Sequence, residues 1–91
     1  GGTAALMKYL SSNIKYPTIS QETGSQGKVI VQFVVDKDGT ISNPEVVRGV
    51  DPYLDKEAIR VISSMPKWTP GVQNGKKVRV KFTVPVSFRL Q

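Results

Sequence analysis

The feature that most constrains this chain is a strict alternation near its end. Seven consecutive even positions are apolar: Val78, Val80, Phe82, Val84, Val86, Phe88 and Leu90. The odd positions between them are polar or basic, apart from Pro85. A period of two is typical of a strand with one face in the core and one face exposed. The pattern predicts one long strand from Val78 to Leu90, so the chain must form a sheet that this strand can join.

Two earlier segments predict the partner strands. Residues 28–36 read KVIVQFVVD, which is apolar on one face and partly apolar on the other, as expected of a central strand. An Asp38-Gly39 turn follows, and residues 40–47 then return as a second strand. Because Pro44 cannot donate to a ladder, this second strand is predicted to be irregular or at an edge.

The first helix is predicted at the start of the chain. Thr3 can cap it, and Leu6, Leu10 and Ile14 recur at fourfold spacing on one face. Pro17 ends it, because the residue before a proline leaves the helical region. Residues 18–27 are polar, contain two glycines and have no period, so they predict a loop.

A second helix is predicted to begin at Asp51-Pro52, where an acidic cap precedes a proline at the first helical position. Pro66 ends it, and the connector that follows is anchored by Trp68, the only tryptophan. Asn74-Gly75 predicts a further turn before the last strand.

The predicted order is helix, strand, strand, helix, strand. It indicates an α+β fold of two layers, in which helices pack on one face of a three-stranded antiparallel sheet. With 91 residues and no cysteine, the chain is expected to form one domain over residues 1–91, in which Gly1 and Gly2 can belong to a linker. Neither a leader nor a membrane span is expected in it. The predicted core contains Leu10, Ile14, Val29, Val31, Phe33, Ile62, Trp68, Val80, Phe82 and Phe88.

Catalysis is not expected. The chain has no histidine or cysteine, and its carboxylates, lysines, tyrosines and serines fall in no recognisable catalytic motif. Asp36 and Asp38 flank a glycine turn, but the further ligands of a calcium loop are missing. The sequence predicts a protein that is not an enzyme and needs no cofactor or metal.

The charge of the chain is uneven. The net charge is +6, and residues 66–91 supply all of it, with six basic residues and no acid. Such a segment can attract nucleic acid, an anionic membrane or glycan, or an acidic peptide, or it can simply be a solvated face. Sheets that read RNA expose aromatic side chains, whereas Phe82 and Phe88 share their parity with the core valines. Nucleic acid is therefore not the expected partner, and the alternative left open is pairing at a free sheet edge, with the last strand as the template.

Several segments, taken in order, resemble the TonB C-terminal domain family over about residues 6–90. They are Tyr16-Pro17, VIVQFVVDKDGTI after Gly27, Val46-Val47, LDKEA at 54–58, MPKWTPG at 65–71, Gly75-Lys76 and a closing strand that ends in PVSF. The order of these segments, and MPKWTPG followed by GKKVRVKFTVPVSF above all, carries the resemblance.

The resemblance implies a periplasmic domain of an energy transducer that is anchored in the inner membrane. In that family, a membrane helix and a Pro-rich spacer precede the domain and couple it to a proton-driven motor complex. The domain binds the N-terminal box peptide of outer-membrane transporters as an added strand, so that force can reach the transporter. A TolA-like protein or a module appended to an envelope sensor would share the fold. A homodimer through the free edge is also left open.

The resemblance also implies which residues bind the peptide. They are Tyr16, Pro17 and Gln21 near the start, and the last strand from Val78 to Val84: Val78, Arg79, Val80, Lys81, Phe82, Thr83 and Val84. Pro85 adds a prediction from its own chemistry, because a proline is tolerated where its missing N–H would face solvent. In a regular edge strand, this directs the free backbone groups to the odd positions, so Arg79, Lys81 and Thr83 are predicted to offer them.

Overall fold

A three-stranded antiparallel sheet with helices on one face forms the centre of the molecule. The computed structural model describes residues 3–68 and 70–90. The elements are α1 (Thr3–Asn13), α2 (Thr18–Glu22), β1 (Gly27–Val35), β2 (Ile41–Arg48), α3 (Pro52–Ser63), β3 (Gly71–Gln73), β4 (Lys76–Val78) and β5 (Val80–Phe88). The sheet order is β2-β1-β5, and β3 pairs with β4 in a separate two-stranded sheet. The predicted fold class is confirmed, and none of the described helices is long and apolar enough to cross a membrane.

Strand β1 is central, as its composition predicts. Its alternate side chains are almost fully buried, while Ile30, Gln32 and Val34 on the opposite face are only partly covered. The buried face contacts apolar residues of α1 and α3, which belong to the same core cluster. The other face of the sheet, which we call the open face, carries no helix within the described residues.

Helix α3 begins where the cap was predicted. The Asp51 carboxylate accepts the Leu54 N–H at 2.7 Å, and Pro52 occupies the first turn. Ser20, which is fully buried, donates its hydroxyl to the same carboxylate at 3.0 Å. The backbone hydrogen bond from Leu54 lowers the pKa of Asp51, and side-chain hydrogen bonds from Ser25 and Ser20 lower it further. One cap therefore starts α3 and ties it to α2.

Three predicted boundaries are wrong. The loop over 18–27 contains α2, which is too short at five residues to show a period. Helix α1 ends at Asn13, well before Pro17, because the Lys15 N–H donates to Glu57 on α3 and draws the chain away. The last strand is not continuous from Val78, because Val78 pairs with Gly71 and only residues 80–88 join the sheet.

The small β3–β4 hairpin explains that break. Asn74 and Gly75 both have positive φ, at 53° and 77°, as the turn of a two-residue hairpin requires. The turn folds Lys76–Val78 back on Gly71–Gln73 before the chain reaches the sheet. The predicted Asn-Gly turn is therefore correct, but the strand that follows it belongs to two sheets.

The predicted core is largely correct, and four of its members are less buried than expected. Ile14, Trp68 and Phe82 are partly buried and pack against the core, while Val80 is only half-buried beside Gly71. Trp68 packs edge-to-face on Phe33, with ring centroids 5.7 Å apart. Its backbone N–H donates to the Gly39 carbonyl at 2.8 Å, which holds the connector against the β1–β2 turn.

Candidate functional site

The outer side of β5 is a free sheet edge, formed by Val80–Phe88. Nine consecutive pairs, from Gly27↔Phe88 to Val35↔Val80, join β5 to β1 without a bulge. Its other side meets no strand in the part of the chain that the structure describes. The edge at β2 is different, because Pro44 and the positive φ of Asn43 lie within it and its register shifts twice. Of the two edges of this sheet, the one at β5 is the regular template.

The backbone groups of β5 that face outward follow from its register. Pro85 is opposite Ile30 and has no N–H, so this cannot be a pair that exchanges two hydrogen bonds with β1. Since such pairs alternate, Lys81 and Thr83 also direct their N–H and C=O groups away from β1. The even residues are bonded to β1. Of the outward residues predicted from Pro85, Lys81 and Thr83 lie within β5, whereas Arg79 lies between β4 and β5 and is not part of the ladder.

The predicted run from Val78 to Val84 is divided by the fold. Val78 lies in β4, and Arg79 lies between β4 and β5, where its Nε donates to Asp36 Oδ1 at 2.9 Å. The remaining residues of the run, Val80, Lys81, Phe82, Thr83 and Val84, all belong to the free edge. Phe82 packs inward at 5.1 Å from the Trp68 ring, and Lys81 is exposed.

Tyr16, Pro17 and Gln21 form a cluster at the opposite end of β5. The Tyr16 ring packs edge-to-face on Phe88 at 5.6 Å, and its hydroxyl donates to the Ser25 carbonyl. Burial, followed by the charge of Asp51, raises the pKa of Tyr16. Gln21 is exposed and donates its amide to the Tyr16 carbonyl at 3.1 Å, while its backbone N–H donates to Pro17. Tyr16 thus holds this segment against β5, and Gln21 is the residue of the cluster whose side chain is accessible to a ligand.

The two predicted groups are therefore separated along the strand. Val84 and Phe88 are four residue steps apart, which corresponds to about 14 Å of strand. The segment that bridges them, Pro85–Phe88, belongs to the same free edge and was missing from the predicted site. Its signal was present in the sequence, because the alternation continues through Phe88.

Helix α1 lies beside this bridging segment and leaves a groove of about 480 Å³ between them, which we call the α1–β5 groove. Its lining residues are Met7, Lys8, Leu10, Ser11, Ile14, Pro85, Val86 and Ser87. The α1 residues of this set were not predicted to belong to a site. No local pattern links them to β5, because they come within reach only through the tertiary fold.

The basic residues do not form one face. Lys76 and Lys77 lie on the hairpin, Arg79 is paired with Asp36, and Lys81 lies on the open face. The aromatic rings near them pack inward, as Phe82 does on Trp68. The described residues therefore contain no aromatic platform on the open face, and they contain no group of three or more His, Cys, Asp or Glu suited to a metal ion.

Comparisons with known proteins agree with this geometry. The family model described as "Gram-negative bacterial TonB protein C-terminal" matches residues 12–90. Protein TonB of Haemophilus influenzae is 33% identical over 89% of this chain and 32% of its own length. Protein TonB of Helicobacter pylori is 26% identical over 90% of this chain and 28% of its own length. The chain thus spans about a third of the length of these relatives.

The fold also matches solved structures. Two NMR solution structures of the Helicobacter pylori TonB-CTD cover 92% and 94% of this chain, with TM-scores of 0.71 and 0.72. Their sequences are 25% and 24% identical to this chain. The likeness extends over nearly the whole chain, so the α+β fold described above is shared with these TonB C-terminal domains.

Proposed function

The chain belongs to the family of Gram-negative bacterial TonB C-terminal domains, and we propose that its β5 edge binds the N-terminal box peptide of outer-membrane transporters as an added strand. In this proposal, the domain works in the periplasm by binding and transmitting force, without catalysis or a cofactor. The observation that carries the proposal is the regular free edge of β5, which offers outward N–H and C=O groups beside a well-packed core.

The anchoring of the parent protein follows the same reasoning. We propose that segments outside this chain tether the domain to the inner membrane and to a proton-driven motor complex. The chain covers about a third of its TonB relatives, which leaves room in such proteins for these segments. A TolA-like protein or an envelope sensor would use the same edge for another partner, and the identity of the bound peptide separates these alternatives.

Backbone pairing sets the character of the complex. A short strand buries little surface and must be ordered on binding, so we expect micromolar affinity. Lys81 and Arg89 are exposed at the two ends of the edge and would favour an acidic peptide by long-range attraction. The side chains of such a peptide would matter less for the ladder than its extended backbone.

The test is a titration that compares two ligands. The domain is titrated with labelled peptides from transporter N-termini and with a labelled single-stranded oligonucleotide, each at low and moderate salt. We expect the peptides to bind with modest salt dependence and the oligonucleotide to bind weakly and to be lost as salt rises. Selective oligonucleotide binding without any peptide signal would contradict the proposal.

A second copy of the chain is the competing occupant of the edge. Sedimentation of the free domain over a range of concentrations measures this competition directly. Under the proposal, the peptide and the second copy compete, so added peptide shifts any dimer toward the peptide-bound monomer. A dimer that persists at saturating peptide would place the peptide elsewhere.

A further inference from the structure

We propose that the α1–β5 groove is a subsite for one apolar side chain of the strand bound at β5, and that Met7 on α1 and Ile14, which directly follows the helix, select this side chain. The inference rests on the proposed function, and it adds which position of the peptide is read and by what. The occupant is a medium-sized apolar residue such as leucine, isoleucine, valine or methionine.

The register of an added strand places a side chain in the groove. Residues directly opposite each other in a ladder project to the same face of the sheet. Val86 is 1% exposed and projects into the helical layer together with Leu10. A peptide residue opposite Val86 therefore projects to the helical side as well. Beyond the edge of the sheet, that side is the α1–β5 groove.

The local pairing brings this peptide residue close to the domain. Since Pro85 is an outward residue, Val86 is bonded to β1, and in an added antiparallel strand the residue opposite Val86 forms a non-hydrogen-bonded pair with it. Side chains of such pairs lie closer together than those of bonded pairs. The peptide side chain opposite Val86 would thus contact Val86 and the groove walls together.

The lining of the groove decides the chemistry of its occupant. Leu10 and Val86 form its buried floor, while Met7 and Ile14 are half-buried and leave apolar surface uncovered. Lys8 and Ser11 are exposed at the rim. An apolar side chain would bury the free surface of Met7 and Ile14, whereas a lysine there would lose hydration without a partner.

Only one position of the peptide meets this environment. The next residues of β5 on the helical side are Val84 and Phe88, and neither lines the groove. Phe88 is already covered by the Tyr16 ring. Peptide residues opposite Thr83, Pro85 and Ser87 would project toward the open face and solvent. The domain would therefore read one apolar residue within a stretch that is otherwise recognised by its backbone.

The first experiment scans the peptide against the unaltered domain. Each residue of the best-binding transporter peptide is replaced in turn by lysine, and the affinity of each is measured by fluorescence anisotropy. We expect one position to lose affinity by at least tenfold and its neighbours to change less than threefold. If no peptide binds, the proposed function fails. If the peptide binds and every position tolerates lysine, the groove inference fails and the edge proposal stands.

The second experiment uses a matched pair of domain variants. Met7→Lys puts a charge in the groove, and Ser12→Lys puts the same charge on an exposed part of α1 that does not line it. We expect Met7→Lys to weaken binding about tenfold, Ser12→Lys to leave it unchanged, and a peptide with glutamate at the read position to bind Met7→Lys better than the unaltered peptide does. Equal affinities for both variants would overturn the inference.

Two controls keep this outcome interpretable. Thermal melts show whether Met7→Lys still folds, and if it does not, Met7→Gln takes its place: glutamine keeps the length of this half-buried side chain but makes it polar, so binding should weaken in the same direction. Sedimentation shows whether the variants change self-association. A shift of the monomer–dimer equilibrium with unchanged peptide affinity would assign the groove to a second copy and would overturn the inference.

Discussion

Substituting Lys81 by proline tests whether the outward backbone groups of β5 hold the peptide. Lys81 is opposite Val34 and, by the alternation from Pro85, its N–H makes no bond to β1. The substitution therefore removes no hydrogen bond from the sheet. Its cost to folding is strain alone, because proline holds φ near −65° where a strand is more extended, and we expect about 1–2 kcal/mol.

The substitution also weakens peptide binding. An added strand loses one backbone hydrogen bond, worth about 0.5–1.5 kcal/mol, and its own carbonyl is left without a partner beside the ring. A total of about 1–2 kcal/mol corresponds to roughly a 5- to 30-fold weaker complex. For a micromolar complex this loss is easily measured.

The assay pairs peptide titration with a thermal melt, and Lys81→Ala is the matched control. Alanine removes the same charge but keeps the N–H, so we expect it to change affinity less than threefold. Two results would refute the reasoning. If Lys81→Pro unfolds the domain while Lys81→Ala does not, the N–H faces β1 and the parity is wrong. If Lys81→Pro folds and binds as Lys81→Ala does, β5 is not the docking edge.

Two further predictions concern stability. Phe82→Ala should lower the free energy of unfolding by about 2–3 kcal/mol in a urea melt, which is less than the loss for a fully buried phenylalanine. Phe82 stacks on Phe33 but remains partly exposed. An unchanged melt would contradict its inward orientation. Burial alone would raise the pKa of Glu57, but hydrogen bonds from Arg60 and the Lys15 N–H outweigh it and lower the pKa. The ionised Glu57 carboxylate therefore stabilises the folded domain fully above the unfolded pKa of about 4.3, and this stabilisation is lost as pH falls through the folded pKa. Urea melts from pH 7 to pH 3 should therefore show a shallower acid loss for Glu57→Gln, and identical slopes would argue against it.

The parts of the fold that the sequence predicts are those with a local cause. The alternation in β1 and β5 and the cap at Asp51 each act within a few residues, so they could be read directly. Helix α2 could not, because five residues are too few for a helical period. The break at Arg79 could not either, since the alternation is the same in β4 and β5 and only the pairing differs.

The candidate site likewise has parts that the sequence predicts and parts that it does not. The edge from Val80 to Val84 follows from the alternation and the family resemblance, and the outward parity follows from Pro85. The α1–β5 groove could not be predicted from the sequence, because Leu10 and Val86 are far apart in the chain and meet only in the packed molecule. Tyr16 was predicted as a contact residue, whereas its ring and hydroxyl are engaged within the domain.

The unbroken register between β1 and β5 has a mechanical consequence. Tension applied along the strand axis loads every bond of the ladder at once, in shear, so no single bond carries the whole load. Tension applied across the axis peels the bonds apart one after another, at a much lower force. A peptide paired along β5 would likewise be loaded either in shear or by peeling. Under shear, the sheet behind it would stay intact. The direction of pull, more than the equilibrium affinity, would then decide how long such a connection lasts.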